Sequence, residues 1–191
     1  MADAIEGTDI VAMHDNIVKK LSDQFKNDFK LIEFYRSENE RSPLKKEELP
    51  ALLLEVPDFE LNLEGDAGTE QLPMFARIEA RVVIDAMEKE QDNPTFAKLK
   101  VRTLALKLAQ YLFKNKHFHE LKTGPLTLLD VTEDAFYPGL DRYDVWRVDF
   151  SIPIHIGESV WKPEGNTPTA LYSWSPEVGS THSSSYQEIL P

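Results

Sequence analysis

Between residues 74 and 85 the chain alternates without a break. Met74, Ala76, Ile78, Ala80, Val82 and Ile84 fall on one side of an extended backbone, and Phe75, Arg77, Glu79, Arg81, Val83 and Asp85 on the other. A period of two is strand geometry, so this stretch predicts a long, half-buried strand. Tyr143 to Ile156 repeats the pattern, with Trp146, Val148, Phe150, Ile152, Ile154 and Ile156 turned to a core. Residues 10 to 29 follow a different period. Ile10, Met13, Ile17, Leu21 and Phe25 recur every three or four positions among lysines and aspartates, the stripe of an amphipathic helix. Thr8 or Asp9 supplies the capping oxygen, and Asp9 also suits the positive end of the helix dipole. Asp92-Asn93-Pro94 opens a second helix, whose face of Phe96, Leu99, Leu104, Ala105, Leu108, Leu112 and Phe113 continues to about His117.

Shorter signals fill the gaps. Leu31 to Tyr35 reads as a short strand before a charged turn at Ser37 to Pro43. Ala51 to Leu63 reads as a strand in which Pro57 removes a ladder donor, placing it at an edge or interrupting it there. An acidic, glycine-containing loop from Glu64 to Glu70 follows. Leu126 to Val131 predicts another strand, and Tyr137-Pro138-Gly139-Leu140 a turn. The order predicts an α+β fold, a mainly antiparallel sheet with two principal helices packed on one face. Beyond Gly157, Pro163, Pro168 and Pro176 break regular structure, serines and glycines accumulate, and Lys162 is the only cation. Residues 1–157 are therefore read as the domain and 158–191 as an extended C-terminal tail. Trp161, Tyr172, Trp174 and Tyr186 make that tail a candidate anchor on a neighbouring subunit or partner.

Composition narrows the classes of function. The 191 residues suffice for one domain with a sizeable core, and 41% hydrophobic with 28% charged residues is globular usage. No run approaches the ~18 apolar residues of a membrane span, and the N-terminal residues lack the pattern of a secretion or transit signal. The chain has no cysteine, which removes disulfides, thiolate metal sites and cysteine nucleophiles and fits synthesis in the cytosol. A net charge of −12 repels a nucleic-acid backbone on average.

Catalytic patterns are sparse. No Gly-rich phosphate loop, Gly-x-Ser-x-Gly elbow or His-Glu-x-x-His helix occurs. His117 and His119 are two apart at the end of a predicted helix, where a histidine complements the negative dipole without any metal. Pro57-Asp58 followed by Glu79-Ala80-Arg81 superficially resembles a PD-(D/E)xK nuclease signature, in which carboxylates on adjacent strands hold Mg²⁺. Arg81 stands where that signature has lysine, and a guanidinium is not deprotonated. The simpler reading has Arg77, Glu79 and Arg81 on the solvent side of the sheet, pairing across strands with Arg147 and Asp149. A charged, regular face with apolar anchors such as Phe75 and Val83 also suits assembly, because complementary charges set register between subunits.

The opening amphipathic helix, Leu49-Pro50-Ala51-Leu52-Leu53-Leu54, the Phe75–Ala86 strand, the Phe96–Phe113 helix and Tyr143-Asp144-Val145-Trp146-Arg147-Val148-Asp149-Phe150 together resemble the tail terminator, or tail completion, proteins of tailed bacteriophages over about residues 8 to 157. The resemblance implies a non-enzymatic structural protein of the virion's tail–neck junction, assembled in the bacterial cytoplasm. It implies a hexameric ring that caps the tail tube, ends its polymerisation and meets the head–tail connector. It implies no cofactor, no catalytic or metal-ligating residue and no membrane, and genome DNA passing through the lumen without specific binding. On this reading Phe75, Arg77, Glu79, Arg81, Arg147 and Asp149 are candidate subunit or partner contacts. Glu64, Asp66 and Glu70 dock on the tube or line the lumen, and the tail aromatics anchor on a neighbour or, in a contractile tail, on the terminal sheath ring. The alternatives are the Mg²⁺-dependent nuclease, with Asp58 and Glu79, and a host adaptor or ligand-binding domain.

Overall fold

A computed structural model describes residues 7–34, 44–87, 95–118, 121–134, 143–160, 171–172 and 179–188. The chain forms two compact units, Glu6–Val160 and a smaller one of Met1–Ile5 with Trp161–Pro191. In chain order the larger unit contains α1 (Ile10–Phe25), β1 (Leu31–Phe34), β2 (Ala51–Leu61), β3 (Leu72–Asp85), α2 (Phe96–Lys114), β4 (Thr127–Glu133) and β5 (Tyr143–Ile156). The five strands make one sheet in the order β1-β2-β3-β5-β4, antiparallel except for the β1–β2 pair. This is the α+β architecture that the alternation predicts.

Both helices lie on one face of the sheet and close a single large core. From α1 it takes Met13, Ile17, Leu21 and Phe25, and from α2 it takes Ala97, Val101, Leu104, Ala105, Leu108, Ala109 and Leu112. These meet the even-numbered residues Ala76 to Ile84 of β3 and Val148 to Ile154 of β5. The Phe25 and Tyr111 rings meet edge to face at 5.3 Å, joining the helices. Asp9, not Thr8, caps α1, its side chain accepting from the N–H groups of Val11 and Ala12. The Thr8 hydroxyl instead donates to the Lys122 carbonyl at 2.6 Å.

Two expectations change. Leu99 and Phe113, expected on the buried face of α2, are exposed, and Ala97, Val101 and Ala109 take their places. Small residues there let the helix approach the sheet. The helices also end earlier than expected, at Phe25 and Lys114. Pro57 acts as expected: the β2–β3 register shifts between Glu55 and Asp58. The predicted turns at 37–43 and 137–140, the Asp92-Asn93-Pro94 helix start and His119 lie outside the described residues.

Leu171–Tyr172 (β6) pairs antiparallel with Gln187–Glu188 (β7), and a 3₁₀ segment spans Ser180–Ser185. Gly179 sits at φ 101°, a conformation that favours glycine, and its N–H donates to the Tyr186 hydroxyl at 2.8 Å.

Candidate functional site

The sheet face without helices gathers the charged residues singled out above. Register decides who meets whom. Glu79 of β3 stands opposite Glu55 of β2 and Asp149 of β5, and Asp149 stands opposite Asp130 of β4. A row of four carboxylates thus crosses four strands. In the next row Arg81 stands opposite Arg147, and on the other side Arg77 stands opposite Asp58. Directly opposed like charges destabilise a sheet, and here the opposite charges meet off the straight register: Glu79 pairs across the strands with Arg147, and Arg81 pairs with Glu55, Glu79 and Asp134.

Arg81 is the centre of that diagonal arrangement. Expected on the solvent side of the sheet, it is instead only 5% exposed, enclosed by the carboxylates it binds. Its Nη1 donates to Glu55 Oε2 at 2.8 Å, its Nε to Asp134 Oδ2 at 2.8 Å, and its Nη2 to Glu79 Oε2. Burial opposes the guanidinium charge, but the Asp134 hydrogen bond and the charges of Glu79, Asp134 and Glu55 outweigh it and raise the pKa above its ordinary value. Arg147 extends the network, with Nη1 3.3 Å from Glu79 Oε1 and Nε donating to Asp149 Oδ2 at 3.1 Å. The Asp149 pKa is raised by burial, with Arg147 opposing the shift and Glu79 reinforcing it.

Toward the far end of β3 the face opens. Arg77 pairs with Glu60 at 2.6 Å with both side chains more than two-fifths exposed, and Phe75 is half-buried. At the other end the face is apolar. Ala51, Leu53, Val83, Tyr143 and Val145 form a second, small core against Leu31, Leu44 and Leu49, and the Tyr143 hydroxyl donates to the Leu44 carbonyl at 3.0 Å. Val83, expected to anchor a partner, is therefore fully buried within the subunit.

The Glu64–Glu70 loop is exposed at its three acids but fastened at its base. His155 Nε2 lies 2.9 Å from the Gly65 carbonyl, the Gln71 amide donates to the Gly157 carbonyl at 2.9 Å, and the Val160 N–H donates to the Thr69 carbonyl at 3.0 Å. Asp66 accepts from the N–H of Gly68, which takes φ 66°. Trp161 and Trp174 lie outside the described residues, as does the side chain of Tyr172, while Tyr186 is held by Gly179.

For the hydrolytic alternative, Asp58 and Glu79 do lie on the same face, but the Glu79 carboxylate is occupied by Arg81 and Arg147. Among the described residues no group of three or more His, Asp or Glu is placed to hold a metal ion. No described helix is long and apolar enough to cross a membrane. Glu55, Asp130 and Asp134 belong to the network yet escaped the sequence reading. Fixing the register of β2 and β4 against β3 and β5 would have brought the first two into view, whereas Asp134 lies just past the end of β4. No protein-family model matches the chain, and neither does any curated protein.

Proposed function

We propose that the chain is a structural virion subunit that forms a hexameric ring, caps the phage tail tube and joins it to the head connector. The observation that supports this reading best is the helix-free face, where charges are locked together by Arg81 and Arg147 while its outer end, Phe75, Arg77 and Glu60, stays accessible. Side chains already fixed in the free subunit lose little further entropy when a partner docks, so such a face suits a permanent, non-catalytic joint. The Glu64–Glu70 loop, pinned at its base, offers negative charge to the tube end or to the lumen, where it keeps passing DNA from adhering. Capping follows from asymmetry: a subunit that fits the growing tube on one side and not on the other turns an open stack into a closed end. In a contractile tail, the C-terminal aromatics reach the terminal sheath ring.

Negative-stain imaging of the purified protein, alone and mixed with cognate tail tubes, tests the reading. Rings seated on tube ends and an arrest of tube growth are expected, and truncation after Gly157 separates ring formation from any anchoring by the tail. Tubes that elongate unhindered would overturn the proposal. Mg²⁺-dependent DNA cleavage lost in Asp58→Ala or Glu79→Ala would replace it with the nuclease reading.

A further inference from the structure

The outward face of α2 carries Leu99, Leu106 and Phe113, exposed by 53%, 59% and 61%. Positions seven apart drift only ~20° around a helix, so the three form one stripe along it. From Thr95 to Lys116 the chain has six cations, Lys98, Lys100, Arg102, Lys107, Lys114 and Lys116, and no acid. The β2–β3 hairpin is its opposite. From Glu55 to Leu72 there are six acids, Glu55, Asp58, Glu60, Glu64, Asp66 and Glu70, and no cation; Glu55 is taken up by Arg81 and Glu60 by Arg77, so the hairpin's outward charge is that of the other four. Phe59, Leu61, Leu63 and Leu72 are exposed there. These two segments hold seven of the eleven large apolar side chains that stand exposed among the described residues.

The two surfaces cannot meet within one subunit, because α2 buries its inner face on the sheet to which the hairpin itself belongs. We propose that the α2 stripe of one copy docks on the acidic β2–β3 hairpin of a second copy, in a head-to-tail contact. Charge selects this pairing. Lys107 is paired with Asp28 within the subunit, but a two-fold contact through α2 would still set the remaining cations of the helix against one another, one through the hairpin would set acid against acid, and a chain of net charge −12 repels its copies in any unmatched orientation. Only the mixed contact removes both repulsions while burying the leucines. Because it uses a different patch on each copy, it generates rings or open stacks and not closed dimers. The inference rests on the assembly reading only in taking a second copy as partner; it needs neither a tube nor a connector.

Charge reversal tests it in the full-length protein. Lys98→Glu with Lys114→Glu makes one variant, and Glu64→Lys with Glu70→Lys makes the other; all four side chains are exposed. Sedimentation is expected to show oligomers of the native chain that weaken at about 0.5 M salt, and roughly tenfold or greater loss of association in each variant alone. Mixing the variants is expected to restore assembly, because each then supplies the complement the other lacks. The absence of cysteine provides a second readout. Leu61→Cys mixed with Leu106→Cys is expected to cross-link through a bis-maleimide into a heterodimer, with each variant alone giving no pair. A native chain that stays monomeric, reversals that leave association intact, a mixture that does not recover, or cross-links only between identical positions would each overturn the contact. Head-to-tail oligomers that fail to arrest tube growth would refute the capping function and leave this contact standing. Capped tubes without the 61–106 cross-link would do the reverse.

Discussion

The two faces of this sheet are made by the same strands and held by different physics. On the helix side, Phe150, Ile78 and Leu108 are essentially inaccessible to water and belong to the large apolar core. That side is stabilised by removal of area from water and by close packing, neither of which demands a particular direction. On the other side, a small apolar patch sits beside a row of carboxylates whose stability depends on two arginines reaching diagonally. There direction is everything, because the straight cross-strand neighbours are like charges. The lesson is that alternation supplies two faces, while the partner layer and the register decide what each face is for.

Truncating the apolar side is expected to have the largest effect. Phe150→Ala leaves a cavity in the helix-side core and is expected to lower the unfolding free energy by about 3–5 kcal/mol in urea titration with the slope unchanged. A loss below about 2 kcal/mol would show that the helices collapse into the gap and that the helix side is less tightly packed than described. Arg81→Ala probes the charged side. It strands Glu55, Glu79 and Asp134 without their shared guanidinium, and a loss of roughly 3 kcal/mol is expected, at the low end for breaking a buried pair because Glu55 stays partly solvated. Adding Glu79→Gln to Arg81→Ala should recover part of that loss, and strict additivity of the two changes would break the claim that they form one network.

The smallest effect is the most diagnostic. The raised pKa of Asp149 means that the folded chain holds this proton more tightly than the unfolded chain does. Its contribution to stability is complete below the ordinary value of 3.8 and is lost as pH rises through the folded value. At neutral pH the ionised Asp149 is therefore a small liability. Asp149→Asn is expected to unfold at an equal or slightly higher denaturant concentration than the native chain at pH 7, with the difference vanishing below about pH 4. A clear loss of stability at pH 7 would show that the Arg147 pair outweighs the desolvation of this carboxylate.

The helix α2 shows where pattern and structure part. Its apolar residues are too many for one face, and their spacing predicts Leu99 and Phe113 in the core. The sheet accepts Ala97, Val101 and Ala109 instead, leaving a second stripe outside. The signal for that stripe was present in the seven-residue spacing and the absence of acids, but periodicity alone does not say which of two apolar faces meets the sheet.

Along the chain, local order carried a great deal: the period-two runs of β3 and β5, the Asp9 cap, the interruption at Pro57 and the two amphipathic helices all depend on near neighbours and were legible from residue types. What required the third dimension was every relation between distant residues. The parallel pairing of β1 with β2, the meeting of Glu79 with Glu55 and Asp149, and the enclosure of Arg81 by Asp134 span separations that no local pattern encodes. A one-residue change of register would send each of those side chains to the opposite face, and register is settled only when the whole sheet closes against its helices.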